Sequence, residues 1–127
     1  MPSRSQGAAA SCKHLAAYSL EGAKETVSRH GFDAKFSAQD LADTYLPAFK
    51  ACVEAGAKGL MCAYNSINGV PACASDLMRT AREKWGFDGV VVSDCDAVAD
   101  IANVHAYTND QPPATHTPHR SDCRRYE

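Results

Sequence analysis

Gly89-Val90-Val91-Val92-Ser93-Asp94-Cys95-Asp96-Ala97-Val98 is the stretch on which the reading of this chain turns. Three β-branched residues in a row after a glycine predict a strand over 89–93, of the kind found where both sheet faces are covered. The strand ends on Ser93 and Asp94, so a carboxylate stands where the backbone leaves the sheet. Asp96 then has the chemistry of an N-cap for a helix over about 96–104. Working upstream, Leu77, Met78, Ala81 and Trp85 recur at helical spacing over 76–85, with Ser75 as cap and Gly86 as stop. Gly59-Leu-Met-Cys-Ala-Tyr64 reads as another buried strand, and 65–71 carries turn chemistry behind it. Before it, Leu41, Tyr45, Leu46, Phe49, Cys52 and Val53 form one helical face. Ser37 and Asp40 are spaced as a capping box at its start, Gly56 ends it, and Pro47 predicts a kink or break. Residues 8–15 form a first strand, and 16–37, without clean periodicity, read as a long loop.

The order strand, helix, strand, helix, strand, helix argues for parallel βαβ units. Three units make an arc of α/β sheet with long edges and one unburied face. The 127 residues are also short of the about 250 that a closed (β/α)8 barrel needs. Composition is that of a globular chain, with 45% hydrophobic and 22% charged residues. A net charge of −2 argues against nucleic acid or an anionic membrane as partner. No apolar run approaches the roughly 20 residues of a membrane span. No apolar h-region follows Arg4, so no signal peptide is read. The six cysteines include no Cys-x-x-Cys pair, which argues against zinc. They lean toward an oxidising compartment; their pairing stays open among 15 combinations, with buried free thiols an equal alternative for strand cysteines such as Cys62. Nucleotide-binding glycine signatures and a Gly-x-Ser-x-Gly elbow are both absent.

In parallel α/β folds, functional groups gather at the C-terminal ends of strands. Here those ends carry Lys13-His14, Tyr64-Asn65 and Ser93-Asp94. Cys12-Lys-His14 with Ala17-Tyr18, Met61-Cys-Ala-Tyr-Asn65 running into Asn68-Gly-Val-Pro-Ala-Cys-Ala74, Trp85-Gly-Phe-Asp-Gly89, and Val91-Val-Ser-Asp-Cys-Asp-Ala-Val98 closely resemble glycoside hydrolases of family three. With His105-Ala-Tyr-Thr108, the resemblance is to the β-xylosidase branch, and it runs from about Ala10 to Thr108.

The resemblance implies a partial (β/α)8 barrel and retaining hydrolysis of terminal β-D-xylosyl residues from xylo-oligosaccharides. β-Glucosidase or α-L-arabinofuranosidase is the alternative within the family. It implies Asp94 as nucleophile, with Lys13, His14, Tyr64 and Arg29 holding the sugar. A retaining enzyme needs a second carboxyl about 5 to 5.5 Å from the nucleophile. Nothing in the chain matches the family's acid/base residue, so an inactive sugar-binding fragment is the rival reading. No metal or organic cofactor is implied, and the partner is an oligosaccharide. The family implies an extracellular or cell-wall location. His105 is read as a satisfied core histidine, and Trp85 as packing its helix. Ser19 stands where the family has Asp, and the Trp expected shortly after it is missing. The expected organisation is a foreign stub at 1–9, the partial catalytic domain at 10–108, and a disordered Pro- and Arg-rich tail at 109–127. Both ends read as products of a truncated gene, an expectation that sequencing the transcript tests.

Overall fold

The computed structural model describes residues 7–22 and 28–107. The expectations for the tail, and for the stub up to residue 6, lie outside them. Strand β1 (Ser11–Leu15) leads into an excursion holding the two-residue strand β2 (Asp33–Ala34). A helical segment follows, made of one turn α1 (Ala38–Asp40), a π-helical turn (Leu41–Tyr45) and α2 (Leu46–Glu54). Next come β3 (Gly59–Cys62), the hairpin β4 (Ser66–Ile67) and β5 (Val70–Pro71), α3 (Leu77–Trp85), β6 (Val90–Ser93) and α4 (Ala97–Asn103).

The main sheet has order β1-β3-β6 and is parallel throughout. It is the expected arc of a (β/α)8-type barrel. Glycine opens two of its strands for a steric reason. A Cβ on Gly89 would lie 2.3 Å from the Lys58 carbonyl oxygen, and one on Gly59 would lie 2.5 Å from Ser11 Oγ. The helices cover one face, with Leu15, Val53, Leu60, Leu77, Ala81 and Phe87 as its core and Val91 packed against it. The three-valine run predicted cover on both faces, and here β6 departs from it. Val90 is 65% and Val92 39% exposed, so among the described residues only the Val91 side is packed. That is the open face an isolated arc must leave.

The excursion read as a loop is stitched down by a second small sheet, β2-β4-β5. Asp33 and Ala34 pair with Ser66 and Ile67, and the Asn68 side chain bridges to both the N–H and the carbonyl of Phe36. The Ser37–Asp40 capping box forms as expected. Pro47 stands at the start of α2, where its missing N–H costs nothing, and the break falls just before it as the π-helical turn. Gly56 and Gly86 take left-handed backbone at the helix ends. The N-cap of α3 is Asp76 rather than the expected Ser75 and makes no side-chain cap bond, while Ser75 Oγ accepts the Leu77 N–H from one residue further back, at 3.4 Å.

Of the cysteines, Cys12 bonds to Cys52, tying β1 to α2, and Cys62 to Cys73, tying β3 to the turn before α3. The free-thiol alternative for Cys62 is thereby excluded. Cys95 is also disulfide-bonded.

Candidate active site

Parallel pairing sends all three main strands toward one edge, and the register sets what meets there. Cys62 faces both Leu15 and Ser93, and the ladder continues one step beyond, through Ala63 N–H to the Leu15 carbonyl and Asp94 N–H to the Cys62 carbonyl. His14, Tyr64 and Asp94 therefore converge. With Lys13, Tyr18, Glu21 and Arg29 they line a cavity of about 200 Å³. All five residues singled out from the sequence face this one cavity.

Asp94 is mostly buried. Its Oδ2 lies 3.2 Å from His14 Nε2, and its Oδ1 accepts the N–H of Cys95 at 2.8 Å. Burial pushes the His14 pKa below 6.5; the Asp94 charge opposes this and Lys13 and Arg29 add to it. The imidazole is thus kept neutral near pH 7, with Nε2–H free to donate toward the carboxylate. Burial, together with the negative charge of Asp94 in the same cavity, raises the Tyr64 phenol pKa well above 10. Burial raises the Tyr18 phenol too, while Arg29 works against the rise. Both phenols remain donors. Arg29 donates to Glu21 Oε1 at 3.0 Å and lies over the Tyr64 ring, 5.5 Å from its centre.

The expected cap chemistry at Asp96 does not form. Asp96 has φ 66°, a left-handed backbone, and makes no side-chain bond to the helix N–H groups. The backbone starts the turn instead, through Ala97 N–H to the Asp94 carbonyl and Asp100 N–H to the Asp96 carbonyl. Asp94 caps nothing in α4 either, because its carboxylate is turned to Cys95 and the cavity.

Tyr18 and Glu21 carried no role in the sequence reading, although Tyr18 lies inside the Lys-His motif. His30 and Asp100, whose side chains meet at 2.6 Å, were missed altogether. No local signal links residues that far apart in sequence. His105 is satisfied as expected, Nδ1 against Ser66 Oγ (2.9 Å) and Nε2 donating to the Tyr64 carbonyl (2.7 Å). Trp85 packs against the core.

A strand-end carboxylate ringed by a neutral imidazole, two phenols, a lysine and a guanidinium suits a ligand rich in hydroxyl groups. Its position is where (β/α)8 enzymes place their active sites. Comparison with known proteins agrees. The Glycosyl hydrolase family 3 N terminal domain matches residues 3–116, and the chain belongs to this family.

Among curated relatives, a probable β-D-xylosidase 7 of Arabidopsis thaliana is 50% identical over 103 residues, 79% of this chain and 13% of the relative. A probable exo-1,4-β-xylosidase of Aspergillus clavatus is 51% identical over 113 residues, 84% of this chain and 14% of the relative. Of the solved structures, an exo-β-xylosidase in complex with a xylobiose aziridine activity-based probe superposes with TM-score 0.73 at 33% identity, over 79% of this chain and 14% of that one. A β-glucosidase from Listeria innocua gives TM-score 0.67 at 36% identity, over 80% and 14%. The chain thus corresponds to about one seventh of these enzymes. No helix among the described residues is long and apolar enough to cross a membrane.

Proposed function

We propose that this chain carries the nucleophile half of a retaining exo-β-xylosidase. The observation behind this reading is the Asp94 carboxylate, held at the end of β6 between His14 and Tyr64 in the shared cavity. Asp94 attacks the anomeric carbon as the bond from that carbon to the glycosidic oxygen breaks, giving a glycosyl-enzyme ester and a leaving sugar whose oxygen takes a proton from the general acid. Lys13, His14, Tyr64 and Arg29 donate hydrogen bonds to the sugar's hydroxyls, and Arg29 can span two of them. Xylose is favoured over glucose or arabinose by the curated relatives, both named xylosidases. The similarity to a β-glucosidase structure keeps glucose as the second candidate. Disulfides suit an oxidising compartment, in line with an extracellular or cell-wall setting.

The acid/base carboxyl lies outside this segment in our reading, so the chain by itself does not turn over natural xylosides. Loss of a general acid costs about 10²- to 10⁴-fold. A leaving group that needs no proton separates nucleophile from acid. Incubation with 2-deoxy-2-fluoro-xylosyl fluoride, followed by peptide mass spectrometry, should find the fluoroxylosyl adduct on Asp94 and none in Asp94→Asn. An adduct on another residue, or labelling that survives Asp94→Asn, refutes the assignment. Preferential labelling by the glucosyl analogue favours the β-glucosidase reading.

A further inference from the structure

Tyr64 is held from behind by His30, Asp100 and His105, which stand outside the cavity lining. The turn at Ser28–Gly31, closed by Gly31 and Phe32 N–H on the Ser28 carbonyl, presents Arg29 and His30 to the same ring. Arg29 lies over Tyr64, and the His30 ring packs on it with centroids 4.0 Å apart. His30 is in turn fixed by Asp100 of α4, whose Oδ2 takes the Nδ1–H at 2.6 Å. Asp100 is only 7% exposed, so this polar contact is shielded from competing water. Close approach of the turn to α4 is built in, since a Cβ on Gly31 would sit 3.2 Å from Val104 Cγ1. His105 in turn donates to the Tyr64 carbonyl. Helix α4, which follows directly from Asp94, therefore returns a strut to Tyr64 through Asp100 and His30.

We propose that His30, oriented by Asp100, is a positioning residue that keeps the Tyr64 phenol in the cavity it shares with Asp94. Without the strut, the Tyr64 ring loses its packing against His30 and shifts against its remaining neighbours, Arg29 and Tyr18, so the phenol leaves its place in the cavity while the sheet remains. This deepens the proposed function and rests on Asp94 and Tyr64 acting together on a bound sugar.

The test uses the full chain with ring-¹³C tyrosine, the Tyr64 signal being assigned from Tyr64→Phe. The readout is the displacement of that signal caused by Asp94→Asn, which reports contact between the two side chains. We expect a clear displacement in the parent, its loss in an Asp100→Ala background, and its return in an Asp100→Asn background. Asparagine keeps an acceptor for His30. His30→Leu should abolish the displacement as Asp100→Ala does, while the Tyr45 and Tyr107 signals stay in place. If His30→Leu fails to fold, the two Asp100 variants decide alone. A displacement that persists in Asp100→Ala, or is absent from the parent, overturns the proposal. So does failure of Asp100→Asn to restore it, or restoration by Asp100→Leu, which fills the space of the buried side chain without offering His30 an acceptor. Binding of xylobiose is measured separately. A chain with the Tyr64–Asp94 coupling intact but no xylobiose binding leaves the strut standing and counts against the proposed function.

Discussion

Gly89→Ala should destabilise the fold far more than the added methyl suggests, because the site's key strand begins there. An ideal Cβ at this position meets Lys58 O at 2.3 Å, Lys58 C at 2.6 Å and Phe87 Cε2 at 2.7 Å. The first two are backbone, so no rotamer change relieves them, and β6 must move away from β3. The Val90 N–H to Lys58 carbonyl bond of 2.8 Å stretches with it. Overpacking costs about 1–3 kcal/mol and the weakened hydrogen bond about 1 kcal/mol, for a total of about 2–4 kcal/mol. Domains are stable by only about 5–15 kcal/mol, so this is a large share. Urea unfolding followed by far-ultraviolet circular dichroism, with disulfides intact, should show the midpoint falling by about 1–2 M at a typical slope. Gly59→Ala is the built-in comparison. Its nearest atom is Ser11 Oγ, a side-chain end that can rotate away, although Ser11 Cβ at 2.7 Å still resists. It should cost less than Gly89→Ala. A Gly89→Ala midpoint within about 0.2 M of the parent would refute the reasoning, because that corresponds to under about 0.5 kcal/mol.

Other expectations concern charge and cross-links. The folded His14 pKa is lowered below 6.5, so the unfolded chain binds its proton more tightly. Stability is therefore full above about pH 6.5 and declines as pH falls through the lowered value, and His14→Gln should flatten that part of a urea-midpoint-versus-pH curve. Asp94→Asn should lower the His14 pKa further, since it removes the charge that opposes burial; a ¹⁵N-histidine titration that moves upward would contradict this. On the loop-entropy account, losing Cys12–Cys52 (sequence separation 40) should cost about 4 kcal/mol and losing Cys62–Cys73 (separation 11) about 3 kcal/mol. Single Cys-to-Ser pairs compared by thermal unfolding test that order.

What the sequence made legible divides by the range of the interactions involved. Strands, helices, the Ser37–Asp40 box and the glycine stops are fixed within a few residues, and they were read with small shifts of boundary. Lys13, His14, Tyr64 and Asp94 were found because parallel strand ends meet at one edge by construction, and the motif said which ends matter. Arg29 lies in the excursion rather than at a strand end, and it reaches the cavity with β2 paired to the hairpin at Ser66–Ile67. That pairing has no period-2 pattern to announce it, being two residues long. His30 and Asp100 were invisible for the same reason, and their meeting requires the excursion to fold back over α4. Asp96 shows the opposite error, a good cap residue denied its role by a left-handed backbone.

The geometry also explains why a small segment of a barrel can hold a recognisable half-site. β1, β3 and β6 are immediate neighbours in the sheet, so the carboxylate, the imidazole and the phenol need no other strand to meet. Each is anchored locally. Asp94 bonds the N–H that follows it; Tyr64 is gripped through its carbonyl and its ring; and the strand bearing His14 is tied to α2 by Cys12–Cys52. The open Val90–Val92 face is different. Those side chains gain their burial energy only if further structure covers them, about 25 cal/mol per Å² of apolar surface removed from water. Strength of the fold and presence of the nucleophile are thus separable properties of this chain. Positional information at Asp94 is carried by adjacent strands, whereas part of the stability expected of such a strand is left for whatever packs on its exposed side.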